Sequence, residues 1–186
     1  YLKNDTIIMY LMFFILFINA MFVPISTFMV AYVQDYMLLG SEVISIFSIG
    51  QTISMILTAP LIPKLTEKMR FKTMFLGGGV IVSLLAISYG FAPLFAGNAI
   101  MIYVLIALAA LLLGVALNVV NIPFRVLIMK RVDQEYLGRT WAIVGAASMG
   151  MQPLANMIFG VISNSTSLDV IYKVAGVIAL ILFISK

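Results

Sequence analysis

The sequence predicts an all-α membrane protein: a single domain, residues 1–186, folded as a bundle of six transmembrane helices. Hydrophobic residues make up 63% of the chain and charged residues only 10%. A soluble domain of this size cannot bury so much apolar side chain, because its surface needs polar cover. Ten of the eleven Lys and Arg lie in short stretches between long apolar runs, an arrangement typical of polytopic membrane proteins.

Six apolar runs account for the predicted helices. A helix that crosses ~30 Å of hydrocarbon needs ~20 residues. The runs cover residues 7–33, 43–62, 73–91, 99–129, 140–162 and 170–185. Pro60 and Pro63 are expected to end the second run, because proline cannot continue a hydrogen-bonded helix. The first and fourth runs have length to spare, so we expect them to tilt or to extend beyond the bilayer.

The loops fall into two sets that alternate along the chain. The N-terminal stub, the loops around residues 64–72 and 125–139, and the C-terminus carry ten basic and four acidic residues. The loops between them carry one basic and three acidic residues. Because an excess of Lys and Arg marks cytoplasmic loops, we expect both termini in the cytoplasm. The same rule explains the net charge of +4 without a nucleic-acid partner.

The composition also excludes several kinds of chemistry. The chain has no Cys and no His, which rules out Cys/His metal sites and Cys or His catalytic dyads. No acidic pair lies inside a predicted span. We therefore expect no enzyme activity, no metal and no cofactor. A self-contained six-span protein, such as a dimerising exporter domain or an intramembrane enzyme, is kept as the alternative to the interpretation below.

The loop between the second and third spans, residues 63–72, reads PKLTEKMRFK. It resembles the G-x-L-x-D-R-x-G-R-R loop of the major facilitator superfamily of transporters. Four positions match that pattern, identically or by a conservative change: Leu65, Glu67, Lys68 and Lys72. Both glycine positions and one base are replaced, by Pro63, Arg70 and Phe71. In that family the degenerate copy of this loop follows the eighth span, so the resemblance implies a C-terminal half.

A second resemblance covers the fourth and fifth spans. Asn121-Ile122-Pro123 is followed by Val132-Asp133-Gln134-Glu135-Tyr136-Leu137-Gly138-Arg139 and later by Gln152-Pro153-Leu154. This stretch is similar to the tenth and eleventh spans of bacterial macrolide and multidrug exporters of the same superfamily. Asp133 stands where that group has a proline, and Ala155 where a glycine is usual.

The resemblance implies one half of a twelve-helix secondary transporter. Such a protein would lie in the bacterial inner membrane and export amphipathic drug-like molecules by alternating access. Its partners would be the lipid bilayer, the small-molecule substrate and an N-terminal six-helix half. Because the chain begins with Tyr and the site of such carriers forms between two repeats, we expect that half to be missing here. The spans contain no deep carboxylate, so proton coupling would depend on the missing half.

Polar residues deep in the spans lie on the first, second, fourth and fifth, the spans that line the cavity in that superfamily. Interhelical hydrogen bonds are the alternative role for these amides. With nearby Met and Phe side chains, which suit varied ligands, they form the predicted substrate cavity: Asn19, Gln51, Asn118, Asn121, Gln152, Asn156, Met21, Phe28, Met55 and Met151. The small residues of the fourth and fifth spans, among them Gly114, Gly145, Gly150 and Gly160, are expected at close helix contacts.

The two basic loops between spans form the predicted gate. Glu67 sits at a helix end, where it can pair with Arg139 or Arg131 in one conformation and separate in the other. The other gating residues are Lys68, Lys72 and Gly138. Pro24, Pro123 and Pro153 interrupt cavity-lining spans and are predicted to kink them.

Overall fold

The computed structural model describes residues 42–95 and 98–185, a short π-helix at Tyr32–Tyr36, and scattered positions between residues 9 and 40. All secondary structure in these residues is helical, which confirms the predicted all-α class. Most of the first predicted run, residues 7–33, lies outside the described residues, and so do Met21 and Pro24.

Six α-helices follow one another along the described chain. Two short 3₁₀ turns lie between them, Ala59–Leu61 before α2 and Ala92–Phe95 before α4. The α-helices are α1 (Glu42–Thr58), α2 (Ile62–Lys68), α3 (Phe71–Tyr89), α4 (Ala99–Arg131), α5 (Gln134–Ser163) and α6 (Leu168–Ile184).

Four of the described helical segments are long and apolar enough to cross a membrane: Glu42–Lys68, Phe71–Tyr89, Ile100–Arg131 and Gln134–Ser163. At ~1.5 Å per residue, the 32-residue and 30-residue segments reach ~48 and ~45 Å and exceed the hydrocarbon core. Helix α6 has 17 residues, or ~26 Å, and falls just short. By length and composition the chain is an integral membrane protein.

Two boundaries differ from the sequence prediction. Pro60 and Pro63 do not end the second span; the chain makes one 3₁₀ turn and continues as α2 to Lys68. Each proline occupies the first turn of a new helical segment, where its missing N–H has no acceptor to lose. Helix α5 begins at Gln134 instead of residue 140, so only Val132 and Asp133 separate it from α4.

Helix α4 is the centre of the described bundle, since it packs against both α1 and α3. Gly114 lets α1 approach closely. A methyl group added there would lie 2.6 Å from the backbone oxygen of Gln51 and 2.8 Å from Cβ of Ser54. The hydroxyl of Ser54 donates to the backbone oxygen of Leu111 at 2.6 Å. Between membrane helices, such close backbone approach and interhelical hydrogen bonds supply the attraction that apolar side chains cannot.

Helix α3 packs against α6 by the same device. A methyl group at Gly176 would lie 2.8 Å from the backbone nitrogen of Ile87 and 2.9 Å from the backbone oxygen of Ser83. At the other end of this contact, the Phe183 ring fills the space beside Gly79. Helices α1, α4, α3 and α6 thus form one continuous packed block.

Helix α5 is joined to that block less extensively. Near its start the Trp141 ring stands edge-on to Phe124 of α4, with centroids 6.4 Å apart. The Arg125 guanidinium lies 6.0 Å from the Trp141 ring centroid. This end of the bundle, which holds residues 64–72 and 125–139, is called the basic end below. The opposite end holds Glu42 and residues 89–95, 98–103 and 164–173.

The Gly114→Ala substitution is expected to destabilise the fold by ~1–3 kcal/mol, because the new methyl overpacks the α1–α4 contact. Gly77→Ala in α3 is the matched control, since nothing lies within 4 Å of a Cβ added there. The check is the thermal unfolding midpoint of the detergent-solubilised full-length protein. Equal midpoints for the two variants would contradict the close contact.

Candidate functional site

A polar stripe runs along α5. Ser148, Gln152 and Asn156 are spaced four residues apart and therefore share one side of the helix. Gln152 is exposed, and the other two are half-buried. The side-chain oxygen of Asn156 is buried and accepts no hydrogen bond from the residues that the structure describes. The sequence analysis found Gln152 and Asn156 but missed Ser148, which the same four-residue spacing could have indicated.

The glycines of α5 surround this stripe with open space. Nothing lies within 4 Å of a Cβ added at Gly145, Gly150 or Gly160. The expectation of close helix contacts is therefore met at Gly114 and not at these three positions. In the described part of the chain no atom packs beside these glycines, which leaves room there for a partner or for water.

Asn118 is only 5% exposed and takes the interhelical role. Its side-chain nitrogen donates to the backbone oxygen of Met55 at 2.7 Å and to the hydroxyl of Thr58 at 2.8 Å. Asn118 and Met55 are thus brought together, but at the α1–α4 contact. The prediction that Asn118 lines the cavity is therefore wrong, because its amide is used between α1 and α4.

The remaining amides of α1, α4 and α5 do not bond to one another. Asn121 is half-buried and donates to the backbone oxygen of Leu117, one turn back in its own helix, at 2.9 Å. Gln51 is half-buried beside Gly114, and Asn19 is exposed. No hydrogen bond joins two of the amide side chains of α1, α4 and α5. Their convergence on one ligand stays a prediction.

The predicted apolar lining is only partly buried. Phe28 and Met151 pack against the same core cluster, which includes Tyr32, Ala155 and Phe159. Met55 and Met151 are both half-buried. Their flexible side chains therefore have one face in the bundle and one face available for contact.

The two prolines within described helices differ in setting. Pro123 is buried in α4, whereas Pro153 is exposed in α5. Each removes one backbone hydrogen bond to the residue four positions earlier, Val119 and Met149 respectively. Both helices nevertheless continue past the proline, so these are interior positions of single helices.

The predicted gating residues all lie at the basic end and are all exposed. Glu67 is the next-to-last residue of α2, and in the described part of the chain it forms no ion pair. The Arg139 guanidinium lies 5.9 Å from the centroid of the Tyr136 ring, one turn back in α5. Gly138 and Arg139 fall inside α5 and not in a loop. The pairing of Glu67 with Arg131 or Arg139 stays a prediction for another conformation.

The described residues contain no group of three acidic side chains that could hold a metal ion. Compared with known proteins, the chain matches no family model, no curated protein and no solved structure. The likeness to the major facilitator superfamily therefore rests on the loop and helix patterns described above.

Replacing Asn118 by Leu is expected to lower the thermal unfolding midpoint of the full-length protein in detergent. The loss of two interhelical hydrogen bonds corresponds to ~1–2 kcal/mol. Asn121→Leu, the same change one turn along the same helix, is expected to have a smaller effect because Asn121 bonds only within α4. A larger loss for Asn121→Leu would show that the two roles have been assigned the wrong way round.

Proposed function

We propose that the chain is the C-terminal six-helix half of a major-facilitator-type secondary transporter. It exports amphipathic, drug-like small molecules from the bacterial cytoplasm by alternating access between two halves. The observation that carries this proposal is the polar, glycine-rich side of α5, on which Gln152 is exposed and Ser148 and Asn156 are half-buried.

Helix α5 has the lowest mean hydropathy of the four described spanning segments, and little of it is buried. Its most apolar stretch has a mean hydropathy of 1.2, against 2.9 for α4, and only 17% of that stretch is buried. An exposed Gln152 in contact with lipid is unfavourable, because hydrocarbon offers its amide no hydrogen bond. This face is therefore better suited to a second protein body or to a water-filled cavity than to lipid.

Helix α1, like α5, has little of its surface buried in the bundle. Only 11% of the most apolar stretch of Glu42–Lys68 is buried, against 44% for α3. The hydroxyl of Thr52, on the exposed surface of α1, is satisfied within its own helix by the backbone oxygen of Ser48. In carriers built from two repeats the substrate binds between them. Helices α1 and α5 would face the other half, and α3 and α6 would lie behind them.

The acidic residues of the described α-helices all lie near helix ends: Glu42, Glu67, Glu135 and Asp169. A proton-coupled carrier needs an ionisable group inside the membrane that faces each side in turn. In this proposal that carboxylate belongs to the other half. The half described here supplies the adaptable wall of the cavity and the gate at the basic end.

Replacing Gln152 by Leu in the full-length protein is expected to lower dye transport about fivefold, the equivalent of one hydrogen bond. The measurement is uptake of ethidium into proteoliposomes with inside-out carriers under an imposed pH gradient. Met157→Leu is the matched control, at an exposed position of α5 off the polar stripe. Failure of the unmodified protein to move the dye would contradict the proposed export.

Access of water to α5 can be tested by cysteine labelling, because the 186 residues contain no cysteine that would react in the background. In a chain without other cysteines, Gln152→Cys should react with a water-soluble maleimide. Leu112→Cys, an exposed apolar position in the middle of α4, should not. Equal reactivity at the two positions would contradict a water-filled cavity beside α5.

Charge reversal at Glu67 tests the gate. Glu67→Lys is expected to lower the maximal transport rate about fivefold, the scale of one ion pair, while KM changes little. Glu135→Lys, another exposed carboxylate at the basic end, is the control for a general charge effect. A rise in KM with an unchanged maximal rate would assign Glu67 to substrate binding instead.

A further inference from the structure

A cavity of about 130 Å³ lies at the basic end, where the junction of α2 and α3 meets α4. We call it the elbow cavity. One face of α4 supplies half of its lining, at positions three or four residues apart. Its lining is formed by Thr66, Met69, Phe71, Met74, Pro123, Val126, Leu127 and Lys130.

One cation lines the elbow cavity, and four more lie on the segment that adjoins it. Lys130 lines it, and Lys64, Lys68, Arg70 and Lys72 are exposed on the adjoining segment. Within the described residues none of these five side chains takes part in an ion pair. The positive charge is therefore available to a ligand from outside the bundle.

The position of the elbow cavity relative to the membrane restricts what that ligand can be. The spanning segment of α4 ends at Arg131 and is longer than the hydrocarbon core, so we place its basic last turn, with Lys130, outside the hydrocarbon and in the headgroup region. Met69 and Val126 at the cavity and Met129 beside it are exposed apolar side chains. The site thus offers a cation beside apolar surface at the boundary of the bilayer.

We propose that the elbow cavity binds the phosphate and glycerol region of an anionic phospholipid. The ammonium of Lys130 would contact the phosphate, and the acyl chains would lie along Val126 and Met129. The volume corresponds to about four water molecules at ~30 Å³ each, enough for a phosphate-sized group and not for a whole lipid. Basic pockets between helices on the cytoplasmic side are suited to such headgroups.

The lining favours a lipid over a free phosphate ion. Met69, Phe71 and Met74 present apolar surface that a free, strongly hydrated anion would have to desolvate against. A lipid brings glycerol and acyl carbons to the same surface and gains from that contact. This inference does not depend on the transport function, because it uses only the cavity, its cations and the membrane boundary.

The experiment counts bound lipids on the full-length protein by native mass spectrometry, with phosphatidylglycerol as probe and phosphatidylcholine as the neutral comparison. Lys130→Gln is expected to weaken phosphatidylglycerol binding about fivefold, the effect of one cation near a membrane surface. Arg139→Gln removes a charge from the same end outside the cavity and is expected to change binding less than about twofold. Val126→Trp leaves the charge unchanged and should weaken binding by filling the cavity.

Three results would overturn the proposal. Equal losses for Lys130→Gln and Arg139→Gln would indicate attraction to the whole basic end and not to the cavity. Unchanged binding in a folded Val126→Trp variant would place the lipid elsewhere. Displacement of phosphatidylglycerol by an equal concentration of soluble glycerol 3-phosphate would identify the site as one for free phosphate compounds.

Discussion

The close approach of α4 to α1 is the contact on which the described bundle depends. In lipid, burying apolar side chains between helices gains little, because hydrocarbon already surrounds them. The attraction must come from dense packing and from hydrogen bonds. Gly114 provides the first by admitting the backbone of Gln51, and Asn118 provides the second through Met55 and Thr58. Helix α4 also packs against α3, and α3 packs against α6. The positions of all four helices therefore depend on the contact between α4 and α1.

The same rule explains why α5 differs from its neighbours. Among the described residues, its glycines contact no neighbouring backbone, and the side-chain oxygen of Asn156 accepts no hydrogen bond. At the basic end Trp141 packs on Phe124 and Arg125, and towards the other end Ala155 and Phe159 are buried in a cluster with Tyr172 of α6. Between these two contacts, no described atom lies beside Gly145 or Gly150, so the described residues leave the polar side of α5 uncovered there.

The sequence was sufficient for the helical class because composition and charge position both follow from the membrane. The lengths of the apolar runs predicted where the described helices lie, but not where their polar ends begin and stop. Helix α5 starts at Gln134 because hydrogen bonding continues past the hydrocarbon, where hydropathy gives no signal. The prediction that Pro60 and Pro63 end the second span was wrong, because proline is also favourable in the first turn of a new helical segment.

The candidate site was harder to predict, for a different physical reason. An amide inside a membrane helix has the same sequence signature whether it bonds a neighbouring helix or faces a cavity. Asn118 and Gln152 looked alike, and only the position of α1 against α4 separates them. Glycines have the same ambiguity. The space beside Gly114 is occupied by α1, whereas no described atom lies beside Gly145. Spacing along one helix cannot tell which face has a partner.

The two ends of the bundle use their charges in opposite ways. At the end away from the basic loops, Lys173 pairs with Asp169 at 3.0 Å and lies 4.8 Å from the Phe91 ring centroid. Tyr103 donates to Glu42 at 2.7 Å, which ties α4 to α1. These charges are satisfied within the bundle and stabilise one arrangement of it. At the basic end Glu67 and Lys130 have no such partner in the described chain. These two charges are therefore exposed to groups outside the bundle, and at a membrane boundary an exposed cation attracts anionic lipid headgroups.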